Sequence, residues 1–225
     1  MISAVIVAAG KGTRMGPNVD KLFLEVAGRP VIAHTWHCFD EMPEIAEIVL
    51  VVRDGMEEAF HQIARACAFS KTFRLVHGGA ERQNSVWNGI QSVEAKCQIV
   101  AIQDGARPCT SRQIIMDTIA AAREIGAAVA AQKVTDTLKE AGEAGIIARN
   151  VDRSKLWAVQ TPQTFRIEVI RKALAEVFSR NLLVTDDTAA CELINQPVKL
   201  VESKTPNPKV TTPADLPFIE SLLKK

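Results

Sequence analysis

The sequence has no excess of either charge, no closely paired cysteines and no long hydrophobic run. Lys and Arg number 27 and Asp and Glu 26, so no overall field favours nucleic acid or an anionic membrane. The five cysteines are widely spaced and include no C-x-x-C pair, which indicates reduced thiols. No stretch has the roughly 18 apolar residues of a membrane-spanning helix. We therefore expect a cytoplasmic protein that binds neither nucleic acid nor membrane.

Three motifs of nucleotide and acyl chemistry are also absent. The dinucleotide fingerprint G-x-G-x-x-G fails because the third glycine comes one residue late, at Gly16. The P-loop pattern fails because Met15 stands where its second glycine is required. There is no G-x-S-x-G nucleophile elbow. A Rossmann cofactor site, P-loop chemistry and covalent acyl transfer are therefore disfavoured.

Length and apolar content fit a single α/β domain over residues 1–225, because 225 residues with 47% hydrophobic content can bury a sizeable core. Strand-like runs alternate with helical patterns, which predicts a doubly wound, mainly parallel Rossmann-like sheet. The predicted strands are Ile2 to Val7, Ile45 to Val52, Phe73 to Val76, Ile99 to Gln103, Ala127 to Ala131 and Val198 to Glu202.

Local signals place several helix ends. Pro30 can open one helix, and Gly126 can end another that begins near Ser111. A further helix is expected to start near Ser85. Asp186 and Asp187 come before a helical stretch, where the default roles are N-cap and first-turn acid.

One region breaks the alternation of strands and helices. From Lys133 to Trp157 the chain is polar and tolerant of strand structure, with a turn offered by Gly142 and Gly145. This predicts a protruding β-hairpin arm with little core of its own. Such an arm is marginal alone and is expected to dock on something, for which a second copy of the chain is one candidate. An ordinary surface hairpin is the alternative.

The richest local pattern follows directly on the first apolar run. It reads Ala8-Ala9-Gly10-Lys11-Gly12-Thr13-Arg14-Met15-Gly16, with Lys21 close behind. Glycines at the exit of a buried strand let backbone N–H groups approach an anion, and Arg14 and Lys21 add positive charge. The pattern predicts a phosphate-binding loop, although a glycine-rich turn with two solvated cations fits the same letters.

Glycines and polar residues follow other predicted strands as well. Ligands of an open α/β sheet bind outside the carboxyl ends of its strands, so these residues are expected to converge on one edge. They are Gly78, Gly79, Arg82, Ser85, Asp104, Arg107 and Lys209. Asp104 stands where a carboxylate could hold Mg²⁺ that bridges phosphate oxygens, or could cap a turn. A zinc site on His34, His37 and Cys38 is disfavoured, because that helix carries core aromatics.

The ordered set of motifs resembles the nucleotidyltransferases that activate small phosphates with a nucleoside triphosphate, and in particular the 2-C-methyl-D-erythritol 4-phosphate cytidylyltransferases. Nearly the whole chain takes part in this resemblance. The matching segments are 8–16 with Lys21, 78–82 with 85–86, 104–108, 135–137, 151–153, 161–163, 185–186 and 209–211. The first motif is shared with many sugar-phosphate nucleotidyltransferases, whereas the ordered set is much more specific.

The resemblance implies that CTP and a polyol phosphate give a CDP-linked alcohol and pyrophosphate, with Mg²⁺ required, in a homodimer. It implies catalytic roles for Arg14, Lys21 and Lys209. It implies CTP contacts at Ala8, Ala9, Gly10, Gly12, Gly78, Gly79, Ser85, Asp104 and Gly105. It implies contacts to the acceptor at Asp104, Arg107, Thr137, Arg153, Thr161, Thr185 and Lys209. Thr137 and Arg153 lie on the arm and would reach the partner subunit's site.

Two other functions remain open from the sequence. Ribitol 5-phosphate cytidylyltransferases share most of this pattern, so the acceptor polyol is ambiguous. A nucleotide-binding regulatory domain without turnover is disfavoured, because binding alone would tolerate the loss of Lys21, Asp104 or Lys209. Ala80 stands where some relatives have an acidic residue, so cytosine selectivity would rest more on backbone groups.

Overall fold

The computed structural model describes residues 1–10 and 20–224. The strands are β1 (Ile2–Val7), β2 (Glu25–Val26), β3 (Arg29–Pro30), β4 (Glu47–Val52), β5 (Phe73–His77), β6 (Ile99–Asp104), β7 (Ala127–Lys133), β8 (Leu138–Ala141), β9 (Ile147–Val151), β10 (Trp157–Arg166) and β11 (Lys199–Glu202). The helices are α1 (Val31–Asp40), α2 (Glu57–Cys67), α3 (Arg82–Gln91), α4 (Arg112–Ile125), α5 (Ile167–Ser179), α6 (Asp187–Glu192) and α7 (Leu216–Leu223).

Seven strands form the central sheet, in the order β11, β7, β10, β6, β1, β4, β5. All neighbours pair in parallel except β10, which runs antiparallel to both β6 and β7. The predicted α/β class with a mainly parallel sheet is therefore confirmed. All six predicted strands are present, with ends that differ from the prediction by at most two residues.

The central strands are buried on both faces, and their alternate residues divide the core in two. In β1, Ala4 and Ile6 belong to a cluster with residues of α1, α2 and α7, whereas Val5 belongs to a cluster with residues of α3, α5 and α6. This division follows from the two-residue period of a strand. Each fully buried aliphatic side chain contributes about 1.5 to 3 kcal/mol by leaving water. Because helices cover both faces of the sheet, the ends of its strands are the places where a ligand can reach it.

Strand β10 is absent from the sequence prediction, which places no strand between Trp157 and α5. Thr161, Gln163 and Thr164 are buried in it, so it has no apolar run of the kind that identifies a central strand. Pro162 has no N–H to donate, and the register with β7 shifts between Val159 and Gln163. The strand exists because neighbouring strands supply hydrogen-bond partners on both sides.

The predicted helix ends are confirmed in α4 and α6. The Ser111 hydroxyl accepts a hydrogen bond from the Ile114 N–H, and Gly126 ends α4 at φ 103°. Asp186 caps α6 by accepting from the Ala189 N–H. The prediction that a helix starts near Ser85 is wrong, because α3 begins at Arg82. A reciprocal capping box between Glu81 and Asn84 starts it one turn earlier, with an acid that is not among the favoured N-cap residues.

The predicted arm is present as the antiparallel pair β8 and β9, joined by a short 3₁₀ turn over Glu143–Gly145. Most of its residues are exposed, including Ile146 at 70% and Ile147 at 63%.

None of the helices within residues 1–10 and 20–224 has the length and apolar character needed to cross a bilayer.

Candidate active site

A cavity of about 850 Å³ opens at the carboxyl ends of the parallel strands. It lies beside the points where β1 and β6 end and where the chain turns from β5 into α3. Its described lining residues are Val7, Ala8, Ala9, Gly10, Lys21, Leu22, Gly79, Ala80, Glu81, Arg82, Ser85, Asp104, Gly105, Ala106 and Lys209. The convergence of separate loops that the sequence predicts is therefore observed.

Close contacts hold the loop after β5 against the ends of β1 and β4. The Gly78 N–H donates to the Val52 carbonyl at 2.8 Å. A β-carbon at Gly78 would lie 2.3 Å from Cβ of Ala9 and 2.9 Å from Oγ of Ser85, so only glycine fits without displacing this wall. The Gly79 N–H donates to the Ser85 hydroxyl at 3.1 Å. Gly79 and Ser85 line the cavity, whereas Gly78 packs behind it.

Asp104, the last residue of β6, is surrounded by cations. Lys209 Nζ donates to its Oδ2 at 2.7 Å, and Nε of Arg82 lies 3.5 Å from its Oδ1. Nε of Arg107 lies 3.7 Å from Oδ2. Burial works against the charge of Asp104, but Lys209 and Arg82 outweigh it and lower the pKa of this carboxyl to about 2. The carboxylate is therefore ionised at neutral pH.

The loop after β11 brings Lys209 to the cavity. The Val210 N–H donates to the Ala106 carbonyl at 2.8 Å, which joins this loop to the one after β6. Lys21 Nζ donates to the Val210 carbonyl at 2.8 Å. Two ammonium groups from opposite ends of the chain thus reach the same cavity.

A buried polar network supports Asp104 from below. The Asp104 N–H donates to the Thr161 hydroxyl at 3.0 Å, and the Thr161 carbonyl accepts from Nδ2 of Asn207 at 2.8 Å. Arg107 donates to the Asn207 carbonyl at 2.6 Å. Thr161 is only 2% exposed, and neither it nor Arg107 lines the cavity. Their contacts within the chain support Asp104 and the loop before Lys209.

A second buried ion pair reaches the cavity wall through Arg82. Its two terminal nitrogens donate to the two carboxylate oxygens of Asp187, each at 2.9 Å. Asp187 is 0% exposed. Burial opposes the charge on Arg82, but Asp187 and Asp104 together raise the pKa of its guanidinium. Arg82 is therefore a fixed cation between two carboxylates.

The remaining predicted site residues lie away from the cavity or outside the described part of the chain. Thr137, Arg153 and Thr185 are exposed and do not line this chain's cavity. Gly12 and Arg14 lie outside the described residues. The roles given to these residues stay predictions.

In the described part of the chain, one group of side chains has the spacing of metal ligands. It is not the set of His34, His37 and Cys38 that the sequence analysis considered. Asp54, Glu57 and His77 bring ligand atoms within 4.8 Å of one another, away from the cavity lining. His34 lies 2.7 Å from the Val26 carbonyl through Nε2, and burial lowers its pKa. Cys38 donates to the His34 carbonyl, and burial raises the pKa of its thiol to about 12. These contacts satisfy the two side chains within the fold.

The sequence predicted Arg82 at this edge of the sheet and Asp187 as a first-turn acid, but it predicted neither their ion pair nor any role for Asn207. The contact of Arg82 with Asp187 spans 105 positions of the chain, and that of Asn207 with Thr161 spans 46. Asp187 looks like an ordinary first-turn acid in the sequence. The one local signal is at Asn207, because prolines on both sides of it restrict the loop that carries it.

The arrangement suits a ligand with several phosphates. Lys21, Arg82 and Lys209 present positive charge to the cavity, which Asp104 and Glu81 also line. Charge-assisted hydrogen bonds to phosphate oxygens are strong in such partly buried sites. Nucleotidyl transfer needs mainly positioning and charge neutralisation, which these groups can supply.

The chain matches one family over nearly its whole length. The family model described as 2-C-methyl-D-erythritol 4-phosphate cytidylyltransferase (IspD) covers residues 2–225. A relative of that name from Caldanaerobacter subterraneus subsp. tengcongensis is 44% identical over 100% of this chain and 99% of its own length. Another, from Desulforamulus reducens, is 42% identical over 100% and 96%.

Solved structures show the same likeness. The 4-diphosphocytidyl-2C-methyl-D-erythritol synthase of Anaerococcus prevotii aligns with a TM-score of 0.87 at 30% identity, over 100% of this chain and 96% of that one. The 2-C-methyl-D-erythritol 4-phosphate cytidylyltransferase of Thermus thermophilus aligns with a TM-score of 0.83 at 30% identity, over 100% of both chains. Sequence and structure therefore agree on one family.

Proposed function

Because the chain belongs to the 2-C-methyl-D-erythritol 4-phosphate cytidylyltransferase family, we propose that the cavity described above is where its reaction takes place. The enzyme is a nucleotidyltransferase of isoprenoid precursor synthesis. It transfers the cytidylyl group of CTP to 2-C-methyl-D-erythritol 4-phosphate and forms 4-diphosphocytidyl-2-C-methyl-D-erythritol and pyrophosphate. The alternative of a regulatory domain without turnover has no observation in its favour.

The observation that carries the assignment of the site is the group of cations around Asp104. The acceptor's phosphate oxygen attacks the α-phosphorus of CTP in line, a new P–O bond forms, and the bond to the β-phosphate oxygen breaks. Lys21 and Lys209 stabilise the negative charge that is redistributed over these oxygens. Arg14, which precedes Lys21 in the sequence, is proposed to join them. The attacking oxygen is already ionised, so no strong general base is required.

The donor set at Asp104 fits a nucleotide-bound Mg²⁺. This ion usually binds to one or two carboxylates together with substrate phosphates and waters, and Asp104 supplies one ionised carboxylate at the cavity wall. Asp104 would hold Mg²⁺ together with the phosphates of CTP, where the ion would supply further charge neutralisation.

Nucleotide recognition is proposed for the walls on either side. Ala8, Ala9, Gly10 and Gly105 offer close backbone approach to CTP, while Gly79 and Ser85 face the base and ribose. Ala80 brings no charge to the cavity, so selection of cytosine is expected to depend on backbone groups and on the Ser85 hydroxyl. Gly78 supports this wall from behind, and Gly12 is proposed to contact CTP.

The acceptor site is proposed to be shared between two subunits. Thr137 and Arg153 flank the arm strands and do not line their own chain's cavity, so a partner's cavity is the place where they can serve. The exposed Ile146 and Ile147 give the arm an apolar end that a second copy would cover. Thr185 is proposed to contact the acceptor from the loop before α6. We also propose that the homodimer acts in the cytoplasm.

An assay with two acceptors tests the function. The protein is incubated with CTP and Mg²⁺ and either 2-C-methyl-D-erythritol 4-phosphate or ribitol 5-phosphate, and pyrophosphate release is measured. We expect turnover with the methylerythritol phosphate and at most a small rate with ribitol phosphate. Faster turnover with ribitol phosphate would reassign the acceptor. CTP binding without pyrophosphate release from either acceptor would favour the regulatory alternative.

A further inference from the structure

The buried ion pair of Arg82 and Asp187 has no role in the reaction as described above. Replacing a buried ion pair by apolar residues is often neutral or even stabilising. The burial of this pair is therefore weak evidence that it stabilises the fold. Arg82 lines the cavity, whereas Asp187 is completely buried behind it. A role for Asp187 in the reaction must therefore pass through Arg82.

The two contacts of Arg82 use different edges of its guanidinium. Both terminal nitrogens are bound by Asp187 at 2.9 Å, in the bidentate geometry that fixes this group most firmly. Its Nε lies 3.5 Å from Oδ1 of Asp104. The other carboxylate oxygen of Asp104 is already bound by Lys209 at 2.7 Å. Arg82 is thus held close to Oδ1 of Asp104 without pairing tightly with it.

Neighbouring contacts hold both members of the pair in place. Gln83, next to Arg82 in α3, donates to the Leu182 carbonyl at 2.8 Å and accepts from the Val184 N–H at 2.9 Å. The Asp187 N–H donates to Oε1 of Gln163 in β10 at 3.0 Å. The start of α3, the start of α6 and strand β10 are therefore connected at one point beneath the cavity.

We propose that Asp187 is a positioning residue, which holds the terminal nitrogens of Arg82 so that Oδ1 of Asp104 stays open to the bound nucleotide and its metal. The proposal rests on the proposed function of the cavity. Without the Asp187 carboxylate, Asp104 and Asp186 remain as anionic neighbours of Arg82. The Asp186 oxygens already accept from Gln163 and the Ala189 N–H, so Arg82 would turn its terminal nitrogens onto Asp104. That pairing would cover the oxygen that the substrate complex needs.

The first test is Asp187→Asn, which keeps the shape of the side chain and removes its charge. We expect kcat to fall about 10- to 100-fold, the scale of a misplaced group in an active site, and the Mg²⁺ concentration for half-maximal rate to rise. A crystal structure of the variant without metal or nucleotide should show an Arg82 terminal nitrogen within hydrogen-bond distance of Asp104. Unchanged kcat and Mg²⁺ dependence in the folded variant would overturn the proposal.

A double variant separates positioning from a general structural effect. If Asp187 acts through Arg82, then Asp187→Asn adds no more than twofold to the loss in an Arg82→Ala enzyme, because no guanidinium remains to be held. Losses that multiply would show that Asp187 acts by another route and would overturn the proposal. Asp40→Asn is the matched control, since Asp40 is also a buried carboxylate and accepts from the Ser70 and Lys71 N–H groups. It should lower the melting temperature and leave kcat unchanged.

A second pair of variants covers the case in which Asp187→Asn does not fold. The double variant Arg82→Met with Asp187→Leu replaces the ion pair by apolar groups of similar size, which buried sites tolerate, and Arg82→Met with Asp187→Asn leaves a neutral amide instead. Both should show the same kcat and the same Mg²⁺ dependence, and a clear difference would overturn the proposal. If the wild-type enzyme itself released no pyrophosphate, the proposed function would fail, while the crystal structure would still test the contact.

Discussion

At the scale of single residues, the cavity gathers more positive than negative charge around one carboxylate. Asp104 has Lys209, Arg82 and Arg107 as neighbours, all within 4 Å. This surplus would repel itself in a ligand-free protein, and the phosphates of a nucleotide would relieve the repulsion. The surplus of positive charge therefore favours the binding of anions.

Replacement of Lys21 by alanine is expected to slow turnover strongly. The loss of one charge-assisted contact to phosphate costs on the order of 2 to 4 kcal/mol of transition-state stabilisation, which pyrophosphate release would reveal. Lys96→Ala is the matched control, because the Lys96 side chain is 71% exposed and pairs with Glu94 on the surface. A Lys21→Ala enzyme with the rate of the Lys96→Ala enzyme would contradict the assignment of the site.

Acid is expected to weaken the fold through Asp104. The pKa of this carboxyl is lowered from 3.8 to about 2 by the cations that overcome its burial, so its charge stabilises the folded state above pH 4. The contribution of about 2 kcal/mol is lost as the pH falls from 4 towards 2. Urea unfolding of wild type and Asp104→Asn over this range should show the steeper loss in wild type. Parallel curves would disprove the contribution.

At the scale of elements, helix α3 carries one wall of the cavity and lies unusually close to the sheet. A β-carbon at Gly89 would lie 2.5 Å from Cγ1 of Val5 in β1 and 2.9 Å from Cγ2 of Val51 in β4. The missing side chain allows α3 to approach these strands. This approach sets the position of Ser85 and Arg82, which come about one turn and two turns earlier in the same helix.

Gly89→Ala is expected to destabilise the fold and to disturb nucleotide binding. Overpacking a rigid core costs about 1 to 3 kcal/mol. Because the two contacts at Gly89 would be as short as 2.5 and 2.9 Å, we expect this cost to exceed the gain of about 1 kcal/mol from the better helix propensity of alanine. Urea unfolding should show a net loss, and KM for CTP should rise as α3 moves outwards.

Gly142→Ala supplies the control for an added methyl group. Gly142 has φ −89°, and its nearest neighbours would lie 3.5 Å from a new β-carbon. Its stability and KM for CTP should equal those of wild type. Equal values for Gly89→Ala would mean that α3 tolerates a larger separation from the sheet.

At the scale of the whole molecule, the arm is the part whose stability is least explained by contacts within its own chain. Strands β8 and β9 pair with each other and leave the central sheet, so they bury little surface within their own chain. A two-stranded hairpin is marginally stable alone. A second subunit would stabilise it and, in the proposed homodimer, would receive Arg153 at its active site.

Mixing two inactive variants tests whether the site is shared. Lys21→Ala and Arg153→Ala chains are unfolded together and reassembled. A mixed dimer then holds one site with both defects and one site with neither, because each site takes Lys21 from one chain and Arg153 from the other. About half the dimers are mixed, so roughly a quarter of wild-type activity should return, from dimer symmetry alone. Heterodimers that form and stay inactive would rule out the shared site.

The sequence by itself determined the features that depend on neighbours along the chain. The buried strands, the hairpin arm, the Ser111 cap and the Gly126 stop follow from periodicity and turn chemistry, which act over a few residues. The same local logic predicted that Lys21, Asp104 and Lys209 come together at one cavity, because each lies at or after the end of a strand and the carboxyl ends of parallel strands share one edge of the sheet.

Tertiary structure alone decided the features that depend on distant partners. Strand β10 is polar, and it becomes a central strand because β6 and β7 supply its hydrogen bonds on both sides. Thr161 became a support for the Asp104 backbone for the same reason. Asp187 reads as a helix-capping acid until folding buries it against Arg82, 105 positions earlier. Burial turns such a contact from a weak surface attraction into a fixed orientation, and burial is a property of the assembled core rather than of any local segment.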